Sequence, residues 1–149
     1  MQTYLGDRVL ATSSSRVAIV LRIAAGAVFI GFGPGKFIRH TAETNAFQRY
    51  GLPRPSEFAY AIGSLELVCG LLLVLGLLVR PAALALAGDM IGAIATGGRV
   101  DGGPVHLVLA PALLVVLLLL VRSGAGPWSL DTRLGQRRGG SGGKVFFPP

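Results

Sequence analysis

The chain has few charged residues, two histidines and a single cysteine, and these shortages exclude several classes of protein. One cysteine, Cys69, among 149 residues excludes a disulfide framework, a zinc site built from cysteines and an iron–sulfur cluster. Charged residues make up 14% of the sequence, whereas about 25% is usual for soluble domains. His106 is the single histidine inside an apolar block, which excludes a haem held by two histidines, and we predict no metal site.

What the chain has in excess is long apolar runs. Between Val17 and Val121 the apolar residues form four blocks, at about 17–38, 57–79, 81–98 and 105–121. A helix that crosses a bilayer needs about 20 such residues, more than a soluble core helix uses. The sequence therefore predicts an all-α membrane protein, a four-transmembrane-helix antiparallel bundle surrounded by the lipid bilayer.

The segments around the blocks define three parts of the chain. Residues 1–16 form a polar N-terminal segment, in which Ser13–Ser15 offers a helix start. Residues 17–131 form the four-helix membrane domain. Residues 132–149 form a basic, Gly-rich tail of the composition expected for a flexible linker.

The connections predict how the helices are joined. Pro34, between two glycines, should kink or end the first helix. Residues 39–56 read as a polar loop that its prolines keep extended. Arg80–Pro81 reads as a tight turn with Pro81 at the first position of the third helix, so the second and third helices should be antiparallel neighbours.

The distribution of lysine and arginine predicts the orientation of the bundle. Eight of them lie on the side that holds both termini and five on the other side. The excess favours both termini on the cytoplasmic side. The eight are Arg8, Arg16, Arg80, Arg122, Arg133, Arg137, Arg138 and Lys144, and the five are Lys36, Arg39, Arg49, Arg54 and Arg99. These basic residues flank apolar blocks, so lipid headgroups explain them and no nucleic acid is expected as a partner.

Four ionisable side chains lie inside the apolar blocks: Arg22, Lys36, Glu66 and Asp89. Each would cost about 2.5 to 3.5 kcal/mol at the centre of a membrane helix, so a position facing lipid alone is disfavoured. Two are cations and two are anions, which allows complete neutralisation inside the bundle. We expect Arg22 to pair with one acid and Lys36 with the other.

The depth of the two acids suggests what this intramembrane charge cluster does. At about 1.5 Å per residue, Glu66 and Asp89 both lie about 12 to 14 Å from opposite faces of the membrane core, near its middle. One interpretation is a structural ion-pair network that fixes the helix register. The other is a proton or ligand site, because two carboxylates at one depth repel each other and one of them tends to keep a proton.

Small residues recur at the spacing of helix contacts. Ala27, Gly31 and Gly35 share a face of the first helix, and Gly88 and Gly92, with Thr96, share a face of the third. Such faces let membrane helices approach closely. We predict that they pack inside the bundle, and the alternative is a surface for another membrane subunit.

The ordered motifs of the chain resemble those of the DoxX family of small four-helix bacterial and archaeal membrane proteins. The resemblance covers residues 17–131. The matching motifs are Leu21-Arg22-Ile23 with Gly26, Gly35-Lys36, Gly51-Leu52-Pro53, the run from Glu66 to Gly76, and the run from Gly126 to Asp131. Pro34 departs from the smoother helical pattern of the family, which affects how far Lys36 reaches.

The resemblance implies a four-helix bundle with cytoplasmic termini in the inner or plasma membrane of a prokaryote. It places Arg22, Lys36 and Glu66 at family motif positions. Asp89 is included in the charge cluster on the depth argument alone. The family takes its name from a subunit of a thiosulfate:quinone oxidoreductase, and its members are associated with membrane redox complexes and oxidative stress.

The leading hypothesis is therefore a small membrane subunit of a redox-associated, quinone-linked complex. The sequence contains no motif for a covalently bound cofactor. Quinone and other protein subunits are its expected partners. If it takes part in catalysis, it does so as an accessory subunit of a quinone-linked oxidoreductase. The alternatives are a non-catalytic scaffold that binds membrane or soluble proteins, and a small proton-coupled transporter.

Overall fold

The computed structural model describes the backbone of residues 3–124 and the side chains of residues 16–124. The predicted tail at 132–149 and the Gly126–Asp131 motif lie outside the described residues. The helices are α1 (Thr3–Phe32), α2 (Gly35–Ile38), α3 (His40–Arg49), α4 (Pro55–Leu75), α5 (Val79–Ala95), α6 (Gly97–Val100), a π-helical segment (Val105–Leu109) and α7 (Ala110–Ser123).

Four helical stretches of this chain are long and apolar enough to cross a membrane. Among the described residues they are Arg16–Ile38, Pro55–Leu75, Val79–Val100 and Val105–Ser123. We call them spans one to four. The prediction of an all-helical, four-span membrane protein is confirmed. We call the face with residues 39–54 and 101–104 the loop side and the opposite face the terminal side; the cytoplasmic location of the termini stays a prediction.

Two expectations about the connections are wrong. The segment after span one is not an extended loop, because it contains the ten-residue α3, and residues 40–49 hold neither proline nor glycine to interrupt a helix. The turn between spans two and three lies at Gly76–Leu78, where both of these residues have positive φ. As a result α5 already begins at Val79, ahead of Arg80 and Pro81.

The N-terminal half of α1 also differs from expectation. The helix begins at Thr3 and continues through Ser13–Ser15, which was expected to start it. No proline lies between Thr3 and Phe32 to interrupt it. At its other end α1 stops at Phe32 and a new helix starts at Gly35, so the predicted break at Pro34 is confirmed.

The bundle core is built from large apolar side chains of all four spans. Phe29, Leu73, Leu86, Leu117 and Leu120 are fully buried. Contacts are most extensive between α5 and α7 and between α1 and α4, whereas α1 and α7 touch much less. The seam between spans one and four is therefore the loosest contact among neighbouring spans.

The predicted small-residue faces do not pack inside the bundle. A Cβ added at Gly31, Gly35, Gly88 or Gly92 would meet nothing within 4 Å, and Ala27 is exposed. These residues point away from the core because the core is already filled by the larger side chains on the opposite faces of the same helices.

The close helix contact is made by other glycines. A Cβ on Gly26 of α1 would lie 2.7 Å from the carbonyl oxygen of Gly70 on α4, and a Cβ on Gly70 would lie 3.0 Å from the carbonyl oxygen of Gly26. Further along, Gly33 faces Leu67 and Gly63 faces Phe37. Backbones that approach this closely explain why α1 and α4 form such an extensive contact.

Candidate functional site

A buried ion pair joins span one to span two. The Nζ of Lys36 donates hydrogen bonds to both carboxylate oxygens of Glu66, at 3.0 Å to Oε1 and 2.9 Å to Oε2. Glu66 is 4% exposed. The prediction that Lys36 pairs with an intramembrane acid is confirmed.

The break in span one and a glycine in span two together position this pair. The helix ends at Phe32, so Lys36 lies on the short α2 that follows the break. A Cβ on Gly63 would lie 2.8 Å from the Phe37 ring and 3.0 Å from Cβ of Lys36. The missing side chain at Gly63 lets α2 lie against α4, one turn before Glu66, so the lysine reaches the acid.

Asp89 of span three completes the cluster. Its side chain is close enough to Glu66 for a hydrogen-bond interaction, and the charges that act on the two acids are those of Lys36 and of each other. Oδ2 of Asp89 is buried and has no hydrogen-bond partner among the described residues. The structure therefore brings Lys36, Glu66 and Asp89 together at one place.

Arg22, the fourth member of the predicted cluster, lies on α1, before the break in span one. It stands 14 positions before Lys36, which is about 21 Å along a helix axis. Its side chain is buried, at 3% exposed. Lys36 is the cation seen to bond Glu66, and the pairing of Arg22 with an acid stays a prediction.

The Lys36–Glu66 pair borders a cavity of about 90 Å³. Three polar or charged side chains line it: Lys36, Glu66 and His106. The remaining walls are apolar and come from spans one, three and four: Val28, Phe29, Phe32, Met90, Ala93, Val105, Leu109, Ala110 and Leu113. The cavity lies next to the loose seam between spans one and four.

His106 reaches the cavity because span four begins irregularly. The π-helical segment Val105–Leu109 contains it, and single π-helical turns occur frequently at functional sites. Pro111 follows, and a proline disturbs the helical hydrogen bond four residues back. A Cβ on Gly97 would collide with the imidazole ring, so a glycine is needed for the ring to lie where it does.

The hydrogen bond of His106 fixes its tautomer. Nδ1 lies 3.1 Å from the carbonyl oxygen of Gly102. A carbonyl only accepts, so Nδ1 carries the proton and, in the neutral ring, Nε2 is an acceptor. The sequence analysis identifies His106 only as the single histidine inside an apolar block. The signal that could have placed it at the site is its position between Pro104 and Pro111.

A second polar group covers the loop side outside the spans. Arg49 donates to Asp101 at 3.0 Å, Tyr50 donates its hydroxyl proton to the same carboxylate, and the Tyr50 ring meets His106 edge to face. Burial and the bond to Asp101 raise the pKa of Tyr50 to about 12. The hydrogen bonds from Tyr50 and Arg49 hold the pKa of Asp101 below its usual range.

Comparison with known proteins decides the family. The DoxX family model matches residues 17–99, more than half of the chain. The chain belongs to the DoxX family. Among the side chains that the structure describes, no group of three histidine, cysteine or acidic residues could hold a metal ion.

Two relatives extend this result. The uncharacterized membrane protein Rv3486 of Mycobacterium tuberculosis (strain ATCC 25618 / H37Rv) is 38% identical over 144 residues, which cover 87% of this chain and 88% of that protein. The protein described as "Putative oxidoreductase CatD" of Bacillus subtilis (strain 168) is 36% identical over 78 residues, 52% of this chain and 57% of that one. No solved structure matches this DoxX chain.

Proposed function

We propose that this DoxX protein is a small integral membrane subunit of a redox-associated complex, and that a quinone is its ligand. The observation that supports the proposal is the buried Lys36–Glu66 pair bordering a cavity beside a loose helix seam. The name of the distant relative CatD adds a redox link. In such a complex this chain would act as an accessory subunit that receives its electrons from a partner or from quinol.

The polar groups that line the cavity suit a quinone, whereas the volume of the cavity is small for one. Lys36 uses two of its three protons on Glu66, which leaves one N–H for a carbonyl oxygen, and His106 is a second polar partner. A cavity of about 90 Å³ is smaller than the roughly 150 Å³ that admits benzene. A quinone ring therefore needs more space than the cavity offers. The Phe32 side chain, which lines the cavity and is 46% exposed, is the group that would have to move.

The residues have separate tasks in this proposal. Lys36 would donate to a carbonyl group of the quinone, and Nε2 of His106 would accept the hydroxyl proton of the reduced quinol form. The apolar walls would receive the ring, and a bound quinone would supply two-electron, two-proton chemistry. Glu66 holds Lys36 in place through two hydrogen bonds.

The test is binding of a short-chain quinone to the purified protein in lipid nanodiscs. We expect saturable binding to wild type, about tenfold weaker binding to Lys36→Met because one hydrogen bond to a buried donor is lost, and unchanged binding to Arg54→Met. Arg54 is the matched control because it pairs with Glu57 at the exposed surface. No saturable binding to wild type, and no quinone in a gently purified complex, would refute the quinone assignment.

A scaffold is the second candidate, and the outward small residues favour it. Gly31, Gly35, Gly88 and Gly92 leave open space around their helices, which a neighbouring membrane protein could fill. A scaffold predicts a stoichiometric partner that co-purifies in mild detergent, is lost in Gly31→Leu or Gly88→Leu, and survives Glu66→Gln. A quinone-linked subunit predicts that Glu66→Gln impairs function even where the partner is still bound.

A further inference from the structure

Two carboxyl groups and one ammonium group meet inside the bundle. Lys36 neutralises one acid, and both oxygens of Glu66 accept its hydrogen bonds. Asp89 lies against Glu66, with Oδ2 buried and without a hydrogen-bond partner among the described residues. A carboxylate can only accept hydrogen bonds, so two adjacent carboxyl groups bond to each other when one of them holds a proton.

The cavity offers this proton a way out. A volume of about 90 Å³ holds roughly three water molecules at about 30 Å³ each, and a water in such a place needs two to four polar partners. Lys36, Glu66 and His106 provide those partners. Water fits here, because the polar lining is continuous with the acid pair.

His106 is the polar lining residue nearest the loop-side solution. It is the second residue of span four, and its Nδ1 is already engaged by Gly102, so Nε2 is the acceptor for a water. Beyond it lie Tyr50 and Asp101, with Arg49 on the same carboxylate. Among the described residues, the Cys69 thiol also lies near Asp89.

We propose that Glu66 and Asp89 share one proton and exchange it with the loop-side solution through water in the cavity, with His106 positioning that water. When the proton leaves, the acid O–H bond breaks, a water O–H bond forms, and that water passes one of its own protons outward. The Lys36–Glu66–Asp89 cluster changes from neutral to a charge of minus one. No electrons move and no co-reactant is required, so the exchange does not depend on the proposed quinone.

The first test asks whether the proton is shared. Infrared spectra of the full chain in lipid nanodiscs at pH 7 should show the C=O stretch of one buried carboxylic acid. Either Glu66→Gln or Asp89→Asn should remove it, because the remaining acid then pairs with Lys36 as a carboxylate. Absence of the band in wild type, or its survival in either variant, would overturn the shared proton.

The second test asks which route the proton takes. The shift of that band after transfer to D₂O reports exchange, and Ala93→Leu, which fills the cavity, should slow it about tenfold or more, equivalent to about 1.4 kcal/mol in the barrier. Ala95→Leu is the control, because Ala95 is exposed on the same helix and does not line the cavity.

His106→Phe should also slow exchange while the band itself stays, and His40→Phe should not, because His40 stacks on Tyr60 away from the cavity. Equal exchange rates in wild type and in both cavity variants would overturn the route. Loss of quinone binding with normal exchange would refute only the proposed function.

Discussion

Removing the lysine of the buried pair should destabilise the protein far more than removing an exposed arginine. At 2.9 Å the Coulomb attraction between Lys36 and Glu66 is about 6 kcal/mol at an effective dielectric constant of about 20. Desolvation of both groups offsets much of this attraction, but deleting one partner leaves a buried charge uncompensated. We therefore expect Lys36→Met to lower the free energy of unfolding by about 3 to 5 kcal/mol.

The assay is unfolding by increasing mole fraction of sodium dodecyl sulfate, followed by circular dichroism, at pH 8. Lys36→Met, Glu66→Gln and the double variant form a double-mutant cycle, built in an Asp89→Asn background so that Asp89 cannot replace Glu66 beside Lys36. We expect the double variant to lose less than the sum of the two single losses, by about 2 kcal/mol, because neither charge is then left alone.

The control is Arg54→Met, whose pair with Glu57 spans 3.4 Å with both side chains more than two thirds exposed. An exposed pair contributes about 0 to 1 kcal/mol. If Lys36→Met costs no more than Arg54→Met, or if the losses of the cycle are simply additive, the buried pair does not stabilise the bundle and the reasoning is wrong.

Three further predictions concern positions where the structure gives a matched comparison. Gly63→Leu should displace Phe37 and Lys36 and reproduce most of the stability loss of Lys36→Met, whereas a loss below about 1 kcal/mol would contradict the positioning role of Gly63. Gly26→Leu should lower the free energy of unfolding by about 2 kcal/mol or more by forcing α1 from α4, with Gly31→Leu, which meets open space, as the neutral control for the isolated chain. Tyr50→Phe should remove the component near pH 12 from the tyrosinate absorbance titration. Since the folded pKa of Tyr50 is raised, the stability that Tyr50 contributes is present below its ordinary pKa and falls as pH rises towards 12. A tyrosinate absorbance titration that Tyr50→Phe leaves unchanged would refute the assignment.

The number of spans was predictable because it depends on the free energy of transferring whole segments out of water. That quantity can be summed from residue types, and four apolar blocks of sufficient length leave few alternatives. The pairing of Lys36 with an acid was predictable for the same reason, since an unpaired charge in hydrocarbon is costly. Which acid Lys36 meets depends on the helix break at Pro34 and on the close approach of α2 to α4 at Gly63. Both depend on how the helices pack in the folded protein.

The helix-packing face was not predictable from spacing alone, because span one carries small residues on two faces. Ala27, Gly31 and Gly35 follow one face, while Gly26 and Gly33 follow another. Which face packs depends on the residues that meet it on span two. Gly26 meets Gly70, whereas Gly33 meets Leu67, and these contacts depend on the tertiary arrangement of the two spans.

The irregular backbone of this DoxX protein brings its polar side chains to one cavity. Span one breaks at Gly33–Pro34 and span four starts with a π-helical segment, and residues beside both irregularities line the same cavity. Non-helical backbone at membrane depth persists where protein or trapped water satisfies its polar groups. At the break the backbone satisfies itself, since the Gly33 N–H donates to the Phe29 carbonyl and the Lys36 N–H donates to the Gly33 carbonyl. A dry cavity would instead leave the third proton of Lys36 and Nε2 of His106 unsatisfied together, whereas a few waters would bond to both and to Glu66. In our proposal the same waters would carry the proton between the acid pair and the loop side.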